Sequence, residues 1–249
     1  MAPPTLVVVE HTGLGGADVT VTEEAAGGPG TIDAALGLLE ALQARAEVCG
    51  PRRHDDGLAC VNRLWTGVVR EMRDRLAAGG TFADTEFAMA LVVVLTRRYL
   101  QAVGELRADA APRSWRVLLD RRAAADVTSC QFELAGITVL VHHDLAPALV
   151  STCTVLGRPL GQIEKTDCEA FTGIVAEHVR RMVPGAGSSG DYADELGALT
   201  AAVSRNGAWV LAEHLWTLRG RPAEAEAERA AIDWRASMIG RAILTPLAP

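Results

Sequence analysis

A chain of 249 residues that is 49% hydrophobic, 22% charged and 4% aromatic has the composition of a globular protein, which excludes a disordered or collagen-like one. Its formal net charge of −7 and pI near 5.4 leave no broad basic face for a phosphate backbone, so nucleic acid is not an expected partner. Five cysteines without a CxxC pair point to reduced thiols, and a chain of this length buries roughly 70–75% of its unfolded surface without needing disulfides or structural metals.

The first residues, Met1 to Thr5, carry neither a cationic segment nor a cleavable apolar core, so secretion is not expected. The longest unbroken apolar run, Phe87 to Leu95, is about half of what a membrane span needs. The expected location is the cytoplasm, with no membrane partner. Lys165 is the single lysine among 24 basic residues, and this arginine bias beside abundant alanine and glycine is the codon usage of a high-GC bacterium. Residues 1–30 form an arm distinct from the rest. Thr5-Leu-Val-Val-Val9 and Val19-Thr-Val21 are β-branched runs joined by glycines, which predicts a hairpin or a loosely attached arm. The stretch Val9-Glu-His-Thr-Gly-Leu-Gly-Gly16 has the wrong glycine spacing for a dinucleotide site and is followed by a second extended run, where phosphate binding needs a helix N-terminus.

From Thr31 the periodicity becomes helical, and residues 31–249 are expected to form one all-α domain of about eight helices. Thr31 caps a first helix with Ile32, Leu36, Leu39 and Leu42 on one face. Asp56 caps a second, whose stripe of Leu58, Val61, Trp65, Val68, Met72 and Leu76 ends at Gly79-Gly80. Further helices are expected at about 82–107, 113–123, 129–156, 165–182, 191–219 and 223–243, with breaks at Pro112, Gly157-Arg-Pro159, 184–190 and Gly220-Arg-Pro222. Asp84 caps the third. Between Phe132 and Val150 apolar residues occupy every face, which marks a central helix. His142, His143 and Asp144 interrupt it, and Pro147 cannot donate to the carbonyl of His143, so the helix should kink or widen there.

That polar cluster is the first candidate for chemistry. His143 is suited to general acid or base work near neutral pH, with Asp144 binding a polar group or orienting a partner. The structural alternative is a histidine and an aspartate that satisfy neighbouring helix ends, and a buried Asp144 needs a partner on either reading. Glu213 is the second candidate, since Trp209, Glu213 and Trp216 at i, i+4 and i+7 place a carboxylate in an aromatic stripe that would raise its pKa. Asp56, Asn62 and Arg63 are the third group, able to hold the polar end of a ligand or to form a cap and an ion pair. No HExxH or ExxH occurs, and Glu-His neighbours at 177–178 and 213–214 are wrong for the i, i+3 pair of a di-iron bundle. Cys60, Cys130, Cys153 and Cys168 fall in apolar helical settings where a thiol is packing, and no GxSxG elbow occurs.

Several segments in combination, namely Asp56-Gly-Leu-Ala-Cys-Val-Asn-Arg-Leu-Trp65, Phe82-Ala-Asp84, Trp115, Gln131-Phe-Glu-Leu-Ala-Gly136, His143-Asp-Leu145 with Pro147-Ala-Leu-Val150, and Ala208-Trp209 through Leu215-Trp216, resemble an uncharacterised, mostly actinobacterial family of helical proteins known only as a domain of unknown function. The resemblance runs from Thr31 to about Leu247. It implies an ancestral pocket with Asp and Asn where this chain has Val92 and Arg97, and a further His where it has Leu140. Loss of those groups would suit an apolar ligand and remove metal ligands.

The resulting expectation is a cofactor-independent enzyme of bacterial secondary metabolism that performs a cyclisation, elimination or isomerisation on a small, largely apolar metabolite. His143 and Glu213 would exchange protons beside Asp144, and Asp56, Asn62, Arg63, Tyr99, Trp209 and Trp216 would bind the substrate, with no metal. The alternatives are a metal-dependent hydrolase and a non-catalytic small-molecule binding protein. A homodimer is left open.

Overall fold

Helix boundaries follow local capping chemistry, and the computed structural model describes them over residues 30–104, 111–182 and 207–246, plus the backbone of Val7–Val9 and Thr20–Thr22. Those two short strands, β1 (Val7–Val9) and β2 (Thr20–Thr22), pair antiparallel with Val8 opposite Val21. The glycine-rich stretch between them and the expected break at 184–190 lie outside the described residues.

Thr31 accepts the amide of Ala34 at 3.2 Å and starts α1 (Ile32–Cys49), which buries Ile32, Ala35, Leu36, Leu39, Leu42 and Ala46. After a single 3-10 turn, Asp56 accepts the amide of Leu58 at 3.0 Å and starts α2 (Gly57–Ala78), which ends at Gly79 with φ 73°. Only glycine adopts that φ without strain. Asp84 caps α3 (Thr85–Gly104) through the amide of Phe87. Next comes α4 (Arg113–Arg121), and then the central helix α5 (Ser129–Val155), opened by a capping box of Thr128 and Gln131. After the Gly157 break, α6 (Gln162–Met182) begins three residues earlier than periodicity indicated, because Glu164 turns back to accept the amide of Gly161. The described chain closes with α7 (Gly207–Leu218) and α8 (Pro222–Ile243), the latter with proline in its first turn. Eight helices are thus seen among the described residues.

The central helix is α5, which touches α2, α3, α4, α7 and α8. Close approach to α2 depends on small residues: a Cβ on Gly136 would strike the methyls of Val61, and one on Gly57 would strike the ring of Phe132. By length and composition alone α3 and α5 could cross a membrane. In the fold 83% of the most apolar window of α5 and 56% of that of α3 is buried, so packing against other helices accounts for most of their apolar surface.

Halfway along α5 the α-helical ladder gives way to a π turn over Leu140–Asp144 before resuming at Leu145. Pro147 lies just beyond. It has no N–H to return to the carbonyl of His143, and the extra residue of a π turn relieves the clash of its ring with that carbonyl. The helix widens, and the wide turn is where the polar residues sit.

Candidate functional site

Asp144 is buried at the bottom of the π turn, and three donors converge on it from three helices. Its Oδ1 accepts Arg98 Nε of α3 at 3.1 Å and His143 Nδ1 at 3.0 Å, and its Oδ2 accepts the indole N–H of Trp115 on α4 at 2.9 Å. Burial pushes its carboxyl up, but the charges of His143 and Arg98 and the hydrogen bonds of His143 and Trp115 outweigh that and hold it below the ordinary range. An ionised carboxylate only accepts, so Nδ1 of His143 carries the proton of that hydrogen bond.

The other ring nitrogen, Nε2, lies 3.6 Å from Oδ1 of Asp233 on α8. Asp233 is fixed in turn at the N-terminus of α4. Its Oδ2 accepts the amide of Arg113 at 3.0 Å, and its Oδ1 accepts the amide and hydroxyl of Ser114 at 2.9 and 2.7 Å. The His143 imidazole therefore stands between two anchored carboxylates. Asp144 is sealed at 3% side-chain exposure, whereas Asp233, at 17%, opens toward the surface. An imidazole held in this way can shuttle a proton through Nε2 while Nδ1 stays committed to Asp144.

A second polar group joins this one through aromatic rings. Asn62 on α2 donates to the carbonyl of Leu39 at 2.9 Å and to Gln43 at 2.8 Å, and accepts from the hydroxyl of Tyr99 at 3.2 Å. The ring of Tyr99 is tilted against that of Trp115 at 5.3 Å, and Trp115 binds Asp144. Burial pushes the Tyr99 hydroxyl far above its ordinary pKa. Asn62 and Tyr99, both expected to bind the substrate, thus spend their polar atoms on the protein.

The same holds for two others in that expected group. Asp56 is completely buried and, besides capping α2, accepts the guanidinium of Arg122 at 3.0 Å. Arg63 is half-exposed and donates to the carbonyl of His54 at 2.9 Å, with Glu47 at 3.9 Å. On α7 the inner line is Trp209, Ala212, Leu215 and Leu218, so Glu213 is exposed and not enclosed by tryptophans. Trp216 is half-buried and carries the Arg219 guanidinium 4.0 Å above its ring. Trp209 is buried.

Of the two buried glutamates among the described residues, Glu164 turns back on the start of α6, and the other is one that the sequence analysis does not single out. Glu133 of α5 is buried near Cys60, Cys130 and Arg63, and burial pushes its carboxyl up to about 7 against the pull of Arg63. Its signal was available: an acid flanked by apolar residues on the helix that is apolar all round. Asp233 and Arg98 were also missed. Arg98 sits beside the buried Thr96 and Tyr99 in an apolar helix, a legible anomaly, while nothing local marks Asp233. Among the described residues no three His, Cys, Asp or Glu side chains are placed to hold a metal ion.

A family model described as a family of unknown function (DUF5995) matches residues 32–246. No curated protein and no solved structure matches the chain.

Proposed function

We propose, for a chain that belongs to the DUF5995 family of unknown function, a cofactor-independent acid/base reaction on a small, largely apolar metabolite, with His143 as the proton carrier. The observation that carries this reading is the imidazole held between Asp144 and Asp233 in the one π turn of the described chain. Asp144 fixes the tautomer and rotation of the ring, so Nε2 is the atom that gives and takes the proton. Asp233 balances the imidazolium formed when Nε2 is protonated, and its anchoring by Arg113 and Ser114 keeps it from following the proton. Arg98 and Trp115 keep Asp144 ionised and in place. Glu213 has no part in this scheme, since it faces away from the inner line of α7.

A proton shuttle of this kind serves cyclisation, elimination and isomerisation alike, which is why the reaction class is broader than one bond change. Cytoplasmic bacterial secondary metabolism is the setting that fits the arginine-rich composition and the small apolar substrate. The test is incubation of the purified protein with the small-molecule fraction of a high-GC bacterial lysate, read by untargeted mass spectrometry. At least one metabolite should be consumed and a product appear, and the His143→Asn variant should leave that metabolite intact. A metabolite bound and returned unchanged would mark a carrier instead, and turnover abolished by a chelator would mark a metal-dependent hydrolase.

A further inference from the structure

Near its C-terminal end α6 meets α2 through one imidazole and a circuit of charges. The backbone of α2 is bare at Gly67, and His178 of α6 fills the space that a side chain there would take: a Cβ on Gly67 would stand 2.5 Å from Nε2 and 2.6 Å from Cε1 of the imidazole. Beside it, Arg75 of α2 pairs with Glu71 at 2.8 Å and with Glu177 of α6 at 3.1 Å, and Arg181 of α6 pairs with Glu71 at 3.3 Å and with Glu177 at 3.8 Å. Two of these pairs, Arg75–Glu177 and Arg181–Glu71, cross between the helices. Their side chains are 26–49% exposed, so solvent screens each pair and one added charge is enough to shift the balance.

One crossing pair depends on a neutral imidazole. The Nη2 of Arg181 that reaches Glu71 also donates to Nδ1 of His178 at 3.4 Å. A guanidinium only donates, so Nδ1 is the acceptor, the ring proton sits on Nε2 and the ring is uncharged. A second proton has only Nδ1 to go to. There it removes the acceptor and sets an imidazolium against a guanidinium three residues on, on the same face of the helix. Among the described residues the charges that bear on His178 are Arg181 on its own helix and Glu71 on α2. Arg75 and Glu177 act through those two, Arg180 is turned back to the carbonyl of Ala176, and α3, which also packs on α6, brings none. Burial and Arg181 hold the imidazole below its ordinary 6.5, and Glu71 offsets part of that.

We propose that this contact is a pH-sensitive joint: a proton on His178 releases Arg181 from Glu71 and loosens the end of α6 from α2, while the core of the bundle stays closed. Gly67 is what seats the imidazole there, since any side chain at that position would push it off α2. The unfolded chain takes up the proton near 6.5 and the folded chain only at a lower pH. The stability of the joint is therefore whole above 6.5 and declines as pH falls from there to the folded value.

Hydrogen exchange of the full chain at pH 7.5 and pH 5.5, corrected for the intrinsic effect of pH on exchange, tests this. The amides of Val175–Arg181 should open about 3-fold or more often at the lower pH, measured against those of Gln162–Phe171 in the same helix. His178→Gln keeps an acceptor for Arg181 but takes no proton, and should exchange alike at both pH values. Arg181→Gln removes the crossing pair from an exposed site, so at pH 7.5 its α6 should already exchange as the wild type does at pH 5.5. Exchange in α6 that does not respond to pH overturns the proposal, and so does a response that His178→Gln retains. Arg181→Gln with wild-type exchange at pH 7.5 overturns it as well, because the joint would then not hang on that pair.

Discussion

Asp144 shows how much a single residue carries in this core, because three donors from three helices end on its two oxygens. Replacing it with alanine leaves the Arg98 charge and the Trp115 N–H without their acceptor, and breaking a buried pair in this way costs about 3–5 kcal/mol. Urea unfolding of Asp144→Ala should show that loss. Its carboxyl titrates in the fold below the ordinary 3.8. The stability it contributes is therefore present above that unfolded value and disappears as pH falls through the lower folded one. Glu133 works in the opposite sense. Its carboxyl is pushed from 4.5 to about 7, so the fold holds that proton across the interval and loses stability as pH rises through it. Above about 7 the cost is constant. Glu133→Gln should remove that slope and stabilise the protein at pH 8 by about 1–2 kcal/mol, allowing for partial exposure to solvent. Thermal melts of the two proteins across this pH range check it. At this scale the sequence was half legible. His143 and Asp144 stood out as polar residues in an apolar helix, but periodicity alone could not tell which side of α7 faces inward, and so it put Glu213 in the place of the enclosed acid.

The central helix α5 is the element that makes the site. Its capping box, its apolar surface and the proline that widens it are all local features, which is why the helix and the disturbance near 143 could be foreseen from the sequence. What the sequence did not show is the tie to α8, ninety residues on, because an aspartate that caps a helix distant in the chain leaves no periodic trace. The position of α5 also depends on Gly136 lying against Val61. Gly136→Ala would add a methyl against the side chain of Val61, and overpacking of this kind costs about 1–3 kcal/mol. A drop in denaturation midpoint at unchanged helix content is expected, and Val61→Ala in the same chain should recover part of it.

At the scale of the molecule one line of polar and aromatic side chains runs from Gln43 and Asn62 through Tyr99 and Trp115 to Asp144, His143 and Asp233. The line ties α1, α2, α3, α4, α5 and α8 together. Everything at its inner end is satisfied by protein atoms and serves the fold. Its outer end, where the Nε2 of His143 lies 3.6 Å from Asp233, is where the proposed proton exchange would take place. The most direct measurement is therefore the rate of the wild-type reaction against that of His143→Gln, with the melting temperature of each taken alongside. A rate lowered by about 100-fold or more is expected in a protein that still folds. A variant that keeps the wild-type rate, or loses it only in step with its fold, would show that His143 does not carry the proton.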